Sequence, residues 1–251
     1  GEFISYTIEV TNFDKIVVEK GVSLVIKEGP NYLVQISTGA NLVDDIQINV
    51  VDGTLQIKDK SECNLVRDYG QTTVYITTPT LIEIHSFTEK DIISEGVLTF
   101  PILRLITLEE DEVTGTGDFH LKIQSGQLVV ETNTLAGYFI EGEVQELLVN
   151  FYSGDGKFEG PNLQATSIKV FHRSTNNLVL FPTESIIGDI YGNGNIILKN
   201  NPTIIQEGAY RRIYYDRLNT GYAAYIDAVK KELRQLSIDP KHQGQGIKVF
   251  T

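Results

Sequence analysis

Three groups of side chains in this sequence could do chemistry, and each implies a different reaction. Glu109-Glu110-Asp111-Glu112 sets four carboxylates in a row, the ligand type that Ca²⁺ prefers. Consecutive residues point in different directions, and the alternate-residue spacing of a calcium loop is missing, so the run reads as a solvated acidic turn. His85 and His172 hold equivalent places in a repeated phrase. They lie four repeats apart, too far to share a metal ion that must sit about 2 Å from each nitrogen. Arg211-Arg212-Ile213-Tyr214-Tyr215-Asp216-Arg217 is a basic and aromatic cluster in an acidic chain. It could stack sugars or grip an anionic glycan, or form a terminal strand with Ile213 and Tyr215 inward. Nucleophile triads, phosphate loops and metal motifs are absent from the sequence. The expectation is no catalytic residue, no cofactor and no metal.

The repeated phrase must position whatever site exists. It runs from Leu81 to Asn201 as apolar alternation, an aromatic or hydroxyl residue, a polar turn and a further apolar residue. Its copies are IEIHSFTEKDI from Ile82, LRLITLEEDEV from Leu103, LVVETNTLAGYF from Leu128, LVNFYSGDGKF from Leu148, IKVFHRSTNNL from Ile168 and IGDIYGNGNI from Ile187. They recur at roughly 20 to 25 residues, as when each repeat is one coil of a solenoid. A strand this short cannot bury its apolar side alone, so stacked copies must share a core. Alternation predicts Ile84, Ile106, Val130, Val149, Val170 and Ile190 as the internal stack. The position after the strand is held by His85, Thr107, Thr132, Tyr152, His172 and Tyr191, which predicts a column along one edge. In Gly154-Asp155-Gly156 and Gly192-Asn193-Gly194 the glycines suit tight turns.

The rest of the chain reads as covers for this stack. Residues 1–80 are β-patterned without the repeat. Val22 to Ile26 and Tyr32 to Ile36 flank Glu28-Gly29-Pro30-Asn31, and Ile46 to Val50 and Leu55 to Ile57 flank Asp52-Gly53, two hairpin signals. Val74 to Thr78 is a further strand, and Asp59 to Gln71 is polar and loop-like. This segment predicts an N-terminal β layer that caps the solenoid, residues 81–205, and protects its edge. Residues 206–251 carry Tyr222, Tyr225, Ile226, Val229, Leu233 and Leu236 at helical spacing, ended by Asp239-Pro240. The expected fold is thus all-β: a right-handed parallel β-solenoid with an N-terminal β layer and a C-terminal capping α-helix.

Composition narrows the partners. The 251 residues are 41% hydrophobic and 22% charged with a formal net charge of −12, which argues against nucleic acid, whose phosphates need clustered Lys and Arg. The single cysteine, Cys63, allows no internal disulfide. No apolar run approaches the ~20 residues of a membrane-spanning helix. The start at Gly-Glu-Phe, without Met, fits a form from which a leader has been removed.

The blocks GVSLVIKEGPNYLVQIS, NLVDDIQINVVDGTLQIK, TTVYITTPTLIEI and GDIYGNGNIILKNNPTII, in this order, resemble the putative auto-transporter adhesin, head GIN domain family. The resemblance covers about Phe13 to Gln206 and is most specific at Asn41 to Ile57, Tyr75 to Leu81 and Tyr191 to Pro202. It departs from the family in having HSFTEKD, TLEEDE and HRSTNN where Ser-Gly turns are usual, and in its tail. The resemblance implies an exported bacterial protein of the periplasm, outer membrane or cell surface, often lipid-anchored, and it implies no catalytic residues. On this reading the chain is a non-enzymatic binding scaffold for an extended glycan or a protein surface. Its candidate contacts are Tyr152, His172, Tyr191, Arg211, Arg212 and Tyr214. The alternative is a polysaccharide-active β-helix enzyme of pectinase or lyase type using Asp155 or Asp189, but such enzymes need acids on adjacent coils, and no stacked Asp pair stands in register.

Overall fold

The computed structural model describes residues 2–61, 72–109, 115–207 and 213–215. Their strands are β1 (Phe3–Ile8), β2 (Lys15–Val18), β3 (Val22–Glu28), β4 (Leu33–Gly39), β5 (Ile46–Val51), β6 (Thr54–Asp59), β7 (Thr72–Thr78), β8 (Glu83–Ser86), β9 (Ile92–Leu98), β10 (Ile102–Thr107), β11 (Phe119–Thr132), β12 (Gly137–Phe151), β13 (Lys157–His172), β14 (Leu178–Ile190), β15 (Ile196–Leu198), β16 (Ile204–Glu207) and β17 (Ile213–Tyr215). The helical content of the described residues is one 3₁₀ turn, Val43–Asp45. Val, Ile and Thr dominate the strands, and in β7 the alternation is complete: Thr72, Val74, Ile76 and Thr78 are buried and the residues between them are not.

These strands wind into a β-solenoid of about five turns. One face runs β5, β6, β2, β8, β10, then the second halves of β11 to β14, then β16. The other runs β1, β4, β7, β3, β9, then the first halves of β11 to β14, then β15 and β17. Successive repeats pair in parallel, whereas the outermost strands β1, β4 and β5 pair antiparallel. Strands β11 to β14 are long enough to cross both faces, so each bends at a corner. Pairing of β11 with β12 skips Gly126 there and resumes in the same register at Gln127, whereas the register of β13 with β14 shifts between Ala165 and Ser167.

Between the faces lies a core of fully buried apolar columns. Leu103, Leu128, Leu147, Ile168 and Ile186 stand in register, each fully buried. Burying each such side chain contributes roughly 1.5–3 kcal/mol before the entropy of ordering is subtracted. A second column is aromatic. The rings of Phe119 and Tyr138 stack at 5.0 Å and those of Tyr138 and Phe158 at 6.5 Å.

Several sequence-level expectations shift once register is known. The copies beginning at Leu148 and Ile187 are one residue late, because Leu128 pairs with Leu147 and Ile168 with Ile186. A one-residue slip exchanges the two sides of a strand. The internal stack is Ile84, Leu105, Val130, Val149, Val170 and Gly188. Ile106, one residue from Leu105, is on the other side of its strand, and Ile190, two residues past Gly188, is inside but in the next column. The column after the strand is Ser86, Thr107, Thr132, Phe151, His172 and Ile190, and it faces inward. The Asp52-Gly53 hairpin forms as expected, with φ of 48° and 74° at its two central residues. The one expected at Glu28 to Asn31 does not, because β7 lies between β3 and β4 and pairs with both. Residue 80 marks no break in pairing, since β2, β3, β6 and β7 continue the two faces in parallel with the later coils. The helix expected over Tyr222 to Leu236 lies outside the described residues, as do Cys63 and most of the Glu109–Glu112 turn.

Candidate functional site

Tyr152 and Tyr191 each stand one residue past the end of a long strand, β12 and β14, at the corner where the chain turns from one face to the other. Their main chains are fastened to the preceding coil, Tyr152 N–H donating to the Thr132 carbonyl at 2.8 Å and Tyr191 N–H to the His172 carbonyl at 2.7 Å. Phe171, on the intervening coil, lies between them. Ring centroids are 5.7 Å apart for Tyr152–Phe171 and 5.5 Å for Phe171–Tyr191. The spacing follows from the distance between paired strands, just under 5 Å. The result is one ring per coil over three coils. Tyr152 and Tyr191 are 37% and 60% exposed.

Charge frames this aromatic row on one side. Arg104 donates to Glu83 at 2.7 Å and to Glu131 at 2.6 Å, tying β8, β10 and β11 together. Tyr152 Oη donates to Glu131 Oε1 at 2.9 Å, which anchors the ring. The hydrogen bond to Glu131 holds the Arg104 guanidinium further up than usual. Partial burial, and then Glu131, raise the Tyr152 phenol.

The other expected contact residues divide. His172 is fully buried beneath the row, its ring edge-on to Phe151 at 6.3 Å. Tyr214 is the middle residue of β17, paired with Ile197; Arg211 and Arg212 lie outside the described residues. Of the acids considered for catalysis, Asp155 sits in the turn before β13 and accepts a hydrogen bond from Thr175, while Asp189 lies near the end of β14.

A second feature was not read from the sequence. On the outer side of the other face, a groove of about 510 Å³ is lined by Ile93, His120, Phe139, Glu141, Glu159 and Pro161, among others. His120 stacks on Phe139 at 4.8 Å with an interplanar angle of 5°. The Lys157 ammonium stands 4.6 Å over the same ring. The Asp118-x-His120 spacing was the available signal, since residues two apart share one face of a strand.

The family described as putative auto-transporter adhesin, head GIN domain, matches residues 12–202. The chain belongs to this family. Solved structures similar to this head GIN chain include a putative adhesin from Bacteroides fragilis, at 24% identity and TM-score 0.73, covering 86% of this chain and 94% of that one. A putative lipid binding protein from Parabacteroides distasonis, at 17% identity and TM-score 0.61, covers 86% and 94%. A putative adhesin from Parabacteroides merdae, at 15% and 0.52, likewise covers 86% and 94%. At these identities the likeness extends to the fold. No curated protein matches the chain. Among the described residues, no helix of the head GIN chain is long and apolar enough to cross a membrane.

Proposed function

We propose that this head GIN chain is a non-enzymatic, adhesin-like scaffold of the bacterial cell envelope that engages an extended glycan along the Tyr152–Phe171–Tyr191 row. One observation carries the reading: three aromatic rings follow one another on successive coils, at 5.7 and 5.5 Å, on an outer corner of the solenoid. Sugar rings present apolar C–H faces that pack on aromatic rings, and their hydroxyls need polar neighbours. The carboxylate of Glu131 and the guanidinium of Arg104 supply these beside Tyr152. A row of rings along the solenoid axis suits a linear polymer better than a compact molecule. Membership of an adhesin family and likeness to bacterial adhesins support the envelope location. Arg211, Arg212 and Tyr214 are further candidate contacts by their basic and aromatic character in an acidic chain.

A glycan array followed by calorimetry tests it, with reducing-end and unsaturated-product assays on every binder. Binding without turnover, weakened about tenfold or more by Tyr191→Ala (~1.4 kcal/mol), is the expected result. Turnover abolished by Asp155→Asn or Asp189→Asn would replace the scaffold with the polysaccharide-active enzyme.

A further inference from the structure

Asp91, Asp118 and His120 each bring one potential ligand atom to within 4.8 Å of the other two. The coil register causes this meeting of residues distant in the chain. Ile92 pairs with Phe119 and Ile93 with His120, so Asp91 and Asp118 precede paired residues on adjacent coils. Asp118 and His120, two apart, share the outward side. Carboxylates set side by side on neighbouring strands repel one another unless a cation stands between them.

The three groups are held from behind. Gly137 N–H donates to Asp118 Oδ1 at 2.8 Å, and Asp118 N–H donates to Asp91 Oδ1 at 3.4 Å. A side chain at position 137 would crowd the site, because its Cβ would stand 2.7 Å from Asp118 Oδ1. The stack on Phe139 fixes the plane of the His120 imidazole, the kind of outer support that orients metal ligands. Of the nearby cations, Lys90 pairs with Glu89 at 3.4 Å, Lys122 pairs with Glu141 at 2.8 Å, and Lys157 lies over Phe139. His120 also belongs to the wall of the groove.

We propose that Asp91, Asp118 and His120 form a binding site for a divalent cation of the Zn²⁺ class at the edge of the groove. One imidazole nitrogen with two carboxylates suits zinc, cobalt or nickel. Ca²⁺ is a hard cation that takes oxygen ligands, so the imidazole nitrogen of His120 does not suit it. Ligand atoms at about 2 Å from a tetrahedral ion stand roughly 3.4 Å apart. The three ligand atoms lie within 4.8 Å of one another, so binding requires them to draw together by side-chain rotation. Three protein ligands leave a position for water or for an oxygen of a molecule lying in the groove. None of these residues belongs to the aromatic row, so this site and the glycan reading stand or fall separately.

The test is titration of chelator-treated protein with Co²⁺, followed by visible absorption, and with Zn²⁺, followed by calorimetry. One ion per chain is expected, with affinity reduced at least tenfold in His120→Ala and in Asp91→Asn. Zn²⁺ should raise the thermal midpoint of the unsubstituted protein and not that of His120→Ala. Asp91→Asn keeps the test open if other substitutions disturb folding, because Asp91 is exposed. Absence of stoichiometric binding overturns the proposal. Equal affinity in the unsubstituted protein and in both variants, whose folding circular dichroism confirms, overturns it as well.

Discussion

The hydroxyl of Thr107 lies 2.7 Å from the phenol oxygen of Tyr138, inside the solenoid and between two of its coils. Thr107 is the hub of a buried polar cluster, since it also meets Thr132 Oγ1 at 2.7 Å and Thr134 Oγ1 at 3.3 Å. Burial pushes the Tyr138 phenol well above its ordinary range, with Thr107 and Thr132 pulling the other way, so it stays protonated as a donor. Removing the hub strands several buried groups, whereas removing the phenol oxygen leaves the threonines to bond one another. Thr107→Val is expected to destabilise by about 1–3 kcal/mol and Tyr138→Phe by ~1 kcal/mol or less. Urea unfolding of both variants checks the order; equal losses would show that Thr107 is no hub.

Coil stacking sets a steric limit at Gly142. Its φ is 121°, and a Cβ there would stand 2.0 Å from the Ile123 carbonyl oxygen of the neighbouring coil. Gly96 also has positive φ, 86°, but a Cβ there would meet open space. Gly96→Ala is expected to cost about 1–2 kcal/mol from backbone strain alone. Gly142→Ala should exceed ~4 kcal/mol, because main chain cannot move aside cheaply. Comparison of the thermal midpoints of the two variants checks this, and similar midpoints would argue against close coil contact.

Glu146 accepts from Lys169 Nζ at 2.6 Å and from Gln127 Nε2 at 2.6 Å. Lys169 first, and then Gln127, hold its carboxyl below the ordinary range. The folded pKa lies under the unfolded one, so the contribution is complete above the unfolded value of about 4.3 and disappears as pH falls through the folded value. The Lys169 side chain is 60% exposed, and solvent screening keeps the gain under about 1 kcal/mol. Glu146→Gln is therefore expected to be slightly less stable near neutral pH and to converge with the unsubstituted protein in acid. Denaturant unfolding across pH measures this; a difference independent of pH would exclude the ion pair as its source.

The hydroxyl and ring of Tyr152 serve different ends. The hydroxyl bonds Glu131 and sets the ring beside Phe171, and the ring supplies the stacking surface. Tyr152→Phe is expected to reduce glycan affinity less than threefold, Tyr152→Ala about tenfold, the latter corresponding to ~1.4 kcal/mol. Calorimetry with an array-selected glycan separates them. Equal losses would mean that the hydroxyl, and not the ring, contacts the sugar.

The sequence by itself determined the class of structure. Strands of alternating Val, Ile and Leu, repeated with short polar turns, can bury their apolar side only by stacking, and Asp52-Gly53 dictates its hairpin through its own backbone preferences. Tyr152 and Tyr191 were legible as candidate contacts, though in a column with Thr107, Thr132 and His172 whose true members there are Phe151 and Ile190. Register was decided by the tertiary structure, because a strand's apolar pattern tolerates alignment one residue early or late until neighbouring coils fix it. That choice turned Thr107, Thr132 and His172 inward and set Phe171 between the two tyrosines. Pairing also decided that β7 would separate β3 from β4, a long-range contact that local turn chemistry cannot encode. The cluster of Asp91 with Asp118 and His120 has the same origin: its members are joined by coil stacking across 27 residues of chain, and side chains become neighbours when the backbone between them completes a turn.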